Sequence, residues 1–322
     1  MNYRSYADLT QIVVKNISVV PHDVDLVVAI PRSGYLPAAI IACTRNLNLI
    51  DLDGFLAGRT PQHGSSRALA GGERASFRHA LVVDDSVLTG TSLARVKERI
   101  RQANPACRVT YAAVFATRES IPLVDLHFDL CPFPRQFQWN VFHHEHLSRC
   151  CVDIDGVLCL DPDPAVNDDG PRYRQFLLEA TPHILPSVPI RHLVTSRLEK
   201  WRPETEAWLQ RQGVRYERLS MLDLPTAQER ARTGAHGPHK ARIYAADSGA
   251  KLFIESEQHQ AEMIARVSGK PVLSMETQTM SYPNSLSLAA VKSKSLVLGH
   301  SLIRRVLRRF RIRGPLKFLL PS

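Results

Sequence analysis

The sequence predicts an α/β protein, with parallel sheets in two successive domains and a basic tail. Three observations point there. The chain has 322 residues, more than one hydrophobic core usually organises. Short branched apolar runs, among them Leu26–Ile30 and Leu81–Val83, lead directly into polar, glycine-containing loops. Such runs suit parallel strands covered on both faces, and open sheets of that kind gather ligands at the strands' C-terminal edge. A second strand-and-loop pattern of the same type begins near Cys151, which places a second sheet there.

Composition narrows the class. Hydrophobic residues make up 44% of the chain, ample for real cores. The six cysteines (Cys43, Cys107, Cys131, Cys150, Cys151, Cys159) show no CxxC spacing, as expected of a reducing cytoplasm and of a chain without a zinc ribbon. MNYRSYADLTQ is too polar for a signal peptide, and no apolar run is long enough to span a bilayer. The net charge is +10, but residues 291–322 hold nine Lys and Arg and no acid. The basicity therefore belongs to the tail, and the body is nearly neutral.

Leu81 to Leu93, LVVDDSVLTGTSL, organises the first domain. Leu81 to Val83 end a strand, Asp84 and Asp85 sit at its C-terminal edge, Ser86, Val87, Leu88, Thr89, Gly90, Thr91 and Ser92 form a hydroxyl-rich loop, and a helix opens at Leu93. Backbone N–H groups, a helix N-terminus and hydroxyls can cradle a phosphate, while paired carboxylates accept from a vicinal diol. The segment resembles the PRPP-binding signature of type I phosphoribosyltransferases. The resemblance implies that Asp84 and Asp85 hold the ribose 2- and 3-hydroxyls and that residues 87–92 wrap the 5-phosphate. Upstream, strand Asp25–Ile30 leads into Arg32, Ser33 and Gly34 and then a helix over Leu36–Cys43; the family binds pyrophosphate with a loop at this position. Gly58–Arg78, carrying Arg59, Arg67, Arg74 and Arg78, reads as a surface loop; the resemblance implies one that closes over pyrophosphate and excludes water. Val109–Phe115 is the next parallel strand. His143, His144 and His146 fit no standard zinc spacing and read as packing or part of an acceptor site.

The second signature is CVDIDGVLCLDPD, Cys151–Asp163. It resembles the first motif of haloacid-dehalogenase (HAD) phosphatases. The resemblance implies Asp153 as nucleophile, Asp155 as general acid and then base, and Mg2+ held by Asp153, the Asp155 backbone carbonyl and Glu255. Further motifs follow in the family's order: Thr195, Ser196 and Arg197 after a strand, with Thr195 expected to bind phosphate; Lys240 to neutralise phosphate and nucleophile; and Glu255, where Asp is usual, with Glu257 nearby. A short helix over Tyr173–Ala180 leaves room for only a small cap, and Asp168-Asp169-Gly170 reads as a solvated turn or a sugar-hydroxyl contact.

The expected organisation is a phosphoribosyltransferase domain over 1–148, a HAD-like phosphatase domain over 149–282 and a tail over 283–322. In the tail Leu302, Ile303, Val306, Leu307 and Phe310 share one helical face opposite Arg304, Arg305, Arg308, Arg309 and Arg311. This pattern suits an anionic membrane surface better than a helix docking on a partner, and better than nucleic acid, since no interleaved aromatics support base stacking. Together the two domains resemble the transferase–phosphatase modules of bacterial capsule and O-antigen ribofuranose assembly. That implies PRPP and a saccharide or alditol acceptor, free or lipid-linked, at the inner face of the cytoplasmic membrane. It also implies separate glycosyltransferases for polymerisation, Mg2+ with the PRPP pyrophosphate, and a homodimer as an option. Two other readings are a nucleobase phosphoribosyltransferase with a nucleotidase, and a PRPP-sensing regulator.

Overall fold

A computed structural model describes residues 1–61, 76–167 and 169–283. Arg67, Arg74, Asp168 and the amphipathic tail lie outside the described residues.

The chain divides into one unit of Met1–Ser148 with Leu185–Pro189, and a second of Arg149–Ile184 with the chain from Ile190 onward. The first unit runs β1 (Asn2–Arg4), α1 (Tyr6–Lys15), β2 (Leu26–Ala29), α2 (Tyr35–Arg45), β3 (Asn48–Asp51), α3 (Leu52–Leu56), β4 (His79–Ser86), α4 (Thr91–Ala103), β5 (Arg108–Ala116), β6 (Leu126–Leu130) and β7 (Arg135–Phe137). Its main sheet has the order β3-β2-β4-β5-β6, all pairs parallel. Period-two alternation explains why β4 needs an apolar run: Leu81 and Val83 enter one core with Leu9, Ile41 and Phe115, while Ala80 and Val82 enter the other with Leu93, Val96 and Ile100. Each such branched side chain contributes about 1.5–3 kcal/mol on full burial.

β1 pairs in parallel with β7, joining Asn2–Arg4 to Arg135–Phe137. This small ribbon was not legible in the sequence, because its partners are more than a hundred residues apart and each is only three long.

The second unit runs β8 (Cys150–Val152), α5 (Pro171–Glu179), β9 (Ile190–Leu198), α6 (Arg202–Arg211), β10 (Tyr216–Leu222), α7 (Ala227–Thr233), α8 (His236–Ala246), β11 (Leu252–Glu255), α9 (Gln258–Ser268), β12 (Val272–Ser274) and β13 (Thr279–Ser281). Its sheet order is β10-β9-β8-β11-β12-β13, parallel except for β13. β8 lies between β9 and β11, so Asp153 emerges where the edges of these strands converge. Cys151, Val194, Tyr244, Phe253 and Ile264 pack one face of the sheet.

Two strands run further than the sequence predicts. β4 includes Asp84 to Ser86, with Ser86 paired to Phe115, and β9 includes Thr195 to Arg197, with Leu198 paired to Leu222. Ladder pairing with a long neighbour keeps these polar residues extended.

Two candidate active sites

The first site forms where β2 and β4 end side by side, with Ile30 N–H donating to the Val83 carbonyl at 3.0 Å. Gly34 is forced by this closeness: a Cβ there would sit 2.6 Å from the Val83 carbonyl oxygen and closer still to that of Ile30. Arg32 is exposed, and the Pro31–Arg32 peptide is cis. Gly90, at φ 76°, precedes α4, which opens at Thr91, two residues before the expected Leu93, with no side-chain cap on its first N–H groups. The Thr89 and Thr91 hydroxyls are 3.1 Å apart.

The acid pair departs from expectation. Asp84 lines a cavity of about 350 Å³ shared with the loop over Ser86–Leu93. Asp85 does not; its Oδ1 accepts from Ser33 Oγ at 2.7 Å and its Oδ2 from the Trp139 indole at 2.8 Å. Adjacent residues on a strand point to opposite faces, so only one acid of the pair faces the cavity. Asp85 ties the Ser33 loop to the Trp139 segment instead. Burial first, and then the Asp85 charge, push the Asp84 carboxyl up to about 8.

The opposite wall of this cavity includes Phe133, Arg135, Gln136, Asn140, His144 and His146. The His144 and His146 rings meet edge to face at 4.7 Å, whereas His143 contacts Ser187 Oγ at 3.1 Å. Arg59 and Arg78, from the loop expected to close over pyrophosphate, ion-pair with Asp51 and Asp25 at 3.6 and 3.7 Å.

The second site is a cavity of about 490 Å³ lined by Asp153, Asp155, Asp161, Ser196, Arg230 and Glu257 among others. Lys240 Nζ, almost wholly buried, donates to Asp153 Oδ2 at 2.6 Å and to Glu255 Oε2 at 2.9 Å. Burial opposes the ammonium, but the two carboxylates outweigh it and raise the Lys240 pKa. Burial also pushes Asp153 up; the Lys240 charge pulls the other way, and Glu255 and Asp155 add to the rise. One ammonium against two carboxylates leaves excess negative charge. For Asp155 burial again raises the pKa, but Arg197 at 2.6 Å outweighs it and holds the carboxyl below its usual range. Gly156 makes the turn at φ 71°, where a Cβ would strike Ser256 Cβ at 2.5 Å.

Three sequence expectations change here. Thr195 is fully buried and its Oγ1 accepts from Arg197 N–H at 3.2 Å, whereas Ser196 lines the cavity with a buried hydroxyl that has no hydrogen-bond partner. The facing hydroxyl is thus Ser196. Arg197 is not positioned to touch a ligand: it is 1% exposed and spends its guanidinium on Asp155, Thr205 and Cys159. Glu255 is wholly buried against Lys240 and Ser256, while Asp161 and Glu257 reach the cavity. Asp161 had no assigned role in the sequence, although it stands inside the second signature. Its pKa is raised by burial and then by the Asp155 and Glu257 charges.

An oxygen-only donor set with surplus negative charge suits a hard divalent cation. Asp153, Asp161 and Glu257, all lining the cavity, offer such oxygens. A separate group, Cys151, His192 and Asp247, has ligand atoms within 4.8 Å of one another. Its carboxylate is already occupied by Arg191, Arg218 and the Gly249 and Ala250 N–H groups, which makes it a structural ion pair. Asp169 likewise serves structure, accepting from Lys200, Trp201 and Ala227. No helix among the described residues is long and apolar enough to cross a membrane.

Comparison with known proteins bears on the first unit. Residues 3–147 match the family model described as the phosphoribosyl transferase domain. No curated protein matches. Solved structures that are similar include a purine phosphoribosyltransferase from Pyrococcus horikoshii Ot3, at 15% identity over 43% of this chain and 92% of that one, with TM-score 0.32. A Helicobacter pylori xanthine-guanine-hypoxanthine phosphoribosyltransferase matches at 17% identity over 44% and 92%, also with TM-score 0.32. Leishmania donovani UMP synthase matches at 18% identity over 38% of this chain and 26% of that one, with TM-score 0.27.

Proposed function

We propose that this chain, whose residues 3–147 match the family model described as the phosphoribosyl transferase domain, transfers a 5-phosphoribosyl unit from PRPP to a hydroxyl of a saccharide or alditol and then removes the 5-phosphate. The observation that carries the second half is the buried Lys240 bridging Asp153 and Glu255 beside a cavity that also receives Asp155 and Ser196.

In the first step the loop over Ser86–Ser92 holds the 5-phosphate through backbone N–H groups and the Thr89, Thr91 and Ser92 hydroxyls. Asp84 accepts from the ribose diol, and the loop of Arg32, Ser33 and Gly34 receives the pyrophosphate, with which Mg2+ travels. The acceptor oxygen attacks C1 opposite the departing pyrophosphate, so an α-linked donor yields a β-ribofuranoside.

In the second step an Asp153 carboxylate oxygen attacks phosphorus and displaces the ribosyl O5, which takes a proton from Asp155. Water then hydrolyses the aspartyl-phosphate, with Asp155 accepting its proton. Arg197 keeps Asp155 ionised in the described state, which sets it for the second of these roles and requires the pair to loosen for the first. Ser196 donates to the phosphoryl oxygens, and Lys240 balances their charge. When bound, Mg2+ supplies further positive charge to the phosphoryl group, held by Asp153 with Asp161 or Glu257 and the Asp155 carbonyl.

The basic tail holds the enzyme to an anionic membrane surface, and separate glycosyltransferases extend the product. A nucleobase acceptor has one observation in its favour: Phe133, 62% exposed, presents a ring to the first cavity on which a base could stack. Product analysis with PRPP, Mg2+ and glycan acceptors separates the two. The expected outcome is a phosphopentosylated glycan that loses phosphate in the wild type and accumulates in Asp153→Asn. Consumption of a free nucleobase, with glycans untouched, would overturn the saccharide reading.

A further inference from the structure

The wall of the first cavity opposite the Ser86–Leu93 loop contains a guanidinium with one buried N–H group that the fold leaves without an acceptor. Arg135 opens β7 and is 9% exposed. Its Nη1 is buried with no hydrogen-bond partner, and among the described residues Arg135 makes no ion pair. Its neighbour is the Phe137 ring, 5.3 Å from the guanidinium carbon. Burial lowers the Arg135 pKa from the usual arginine value, against the opposing pull of Cys131 and Asp85. Glu145 lines the same cavity but is not within ion-pairing distance of it.

Two other buried arginines in the molecule are answered. Arg197 has Asp155, and Arg230 donates to the Ser196 carbonyl at 2.9 Å. A buried guanidinium N–H group with no acceptor destabilises the free protein, so its presence calls for a ligand that supplies one. The position favours the acceptor over the donor. The opposite wall, with the uncapped α4 N-terminus and the Thr and Ser hydroxyls, already provides for a phosphate. Beside Arg135, the amides of Gln136 and Asn140 are joined at 3.1 Å, a pair suited to hydroxyl groups.

We propose that Arg135 is a specificity-determining residue that binds a carboxylate on the ribosyl acceptor, making the acceptor an acidic molecule such as a uronic-acid glycoside. The planar fork of a guanidinium pairs with a carboxylate through two parallel hydrogen bonds. This inference rests on the acceptor reading above, and carboxylates also occur on bases, so the test separates the two sources.

Equilibrium binding is measured on the full chain with Mg2+ and ribose 5-phosphate, which fills the donor side without turnover. The probes are two matched pairs: methyl glucuronide against methyl glucoside, and orotate against uracil. The expected result is that glucuronide binds about tenfold or more tightly than glucoside, the ratio of one charge-assisted contact. Arg135→Gln removes that preference, Arg135→Lys restores part of it, and ribose 5-phosphate affinity stays unchanged. Unliganded Arg135→Gln melts no lower than the wild type, because the buried N–H group it loses had no acceptor. If orotate shows the preference and glucuronide does not, the carboxylate inference stands and the saccharide reading falls. Equal binding within both pairs, binding of none of the probes, or loss of ribose 5-phosphate affinity in Arg135→Gln would each overturn it.

Discussion

Asp84 shows how one side chain can tie stability to ligand chemistry. Its ordinary pKa of 3.8 rises to about 8 in the fold, so between those values the folded protein keeps a proton that the unfolded chain has lost. The folded state therefore binds more protons across this window, and stability falls as pH rises through it. Asp84→Asn should flatten that slope, raising the melting temperature more at about pH 8 than at about pH 5; parallel pH profiles for the two proteins would refute the assignment. The paired acids and the hydroxyl loop were legible because their chemistry is written in consecutive residues. Which acid faces the cavity was not, since Trp139 and Ser33, which claim Asp85, are distant in sequence. The choice between Thr195 and Ser196 failed for a related reason: alternation along β9 says that they face opposite ways, but only packing decides which way is inward. Asp161 was overlooked because a carboxylate in a loop carries no periodic signal.

At the scale of elements, strands covered on both faces announced themselves as branched runs, and α4 by Leu93, Val96 and Ile100 on one face. The β1–β7 ribbon and the continuation of β4 and β9 into their polar ends depend on pairing partners, which no local pattern reveals. The junction of β2 with α2 is the tightest of these joints. Gly34→Ala places a methyl against two backbone carbonyl oxygens that are themselves held in the sheet, so the loop must shift. The expected outcome is at least about a tenfold loss of PRPP affinity, as for one lost charge-assisted contact, with a lower melting temperature; unchanged affinity would mean that this loop does not hold the donor.

Across the whole molecule, charge and chemistry are segregated. Nine of the basic residues fall in the last 32 positions of the sequence, a stretch that holds no acid. Deleting residues 283–322 should abolish sedimentation with vesicles rich in anionic lipid while leaving transfer to a water-soluble acceptor intact. Retained vesicle binding would place the membrane contact elsewhere. The first unit matches the phosphoribosyl transferase domain over residues 3–147, whereas the phosphatase chemistry proposed for the second is drawn from the side chains around its cavity.

Asp85 has a mechanical consequence beyond its charge. One of its oxygens is fastened to the turn after β2 and the other to the indole that stacks on Phe137 at 4.9 Å. The two segments consequently behave as a single linked part, hinged on one carboxylate. A guest that tugs the indole is felt at Ser33, and one that pulls Ser33 is felt at the aromatic stack.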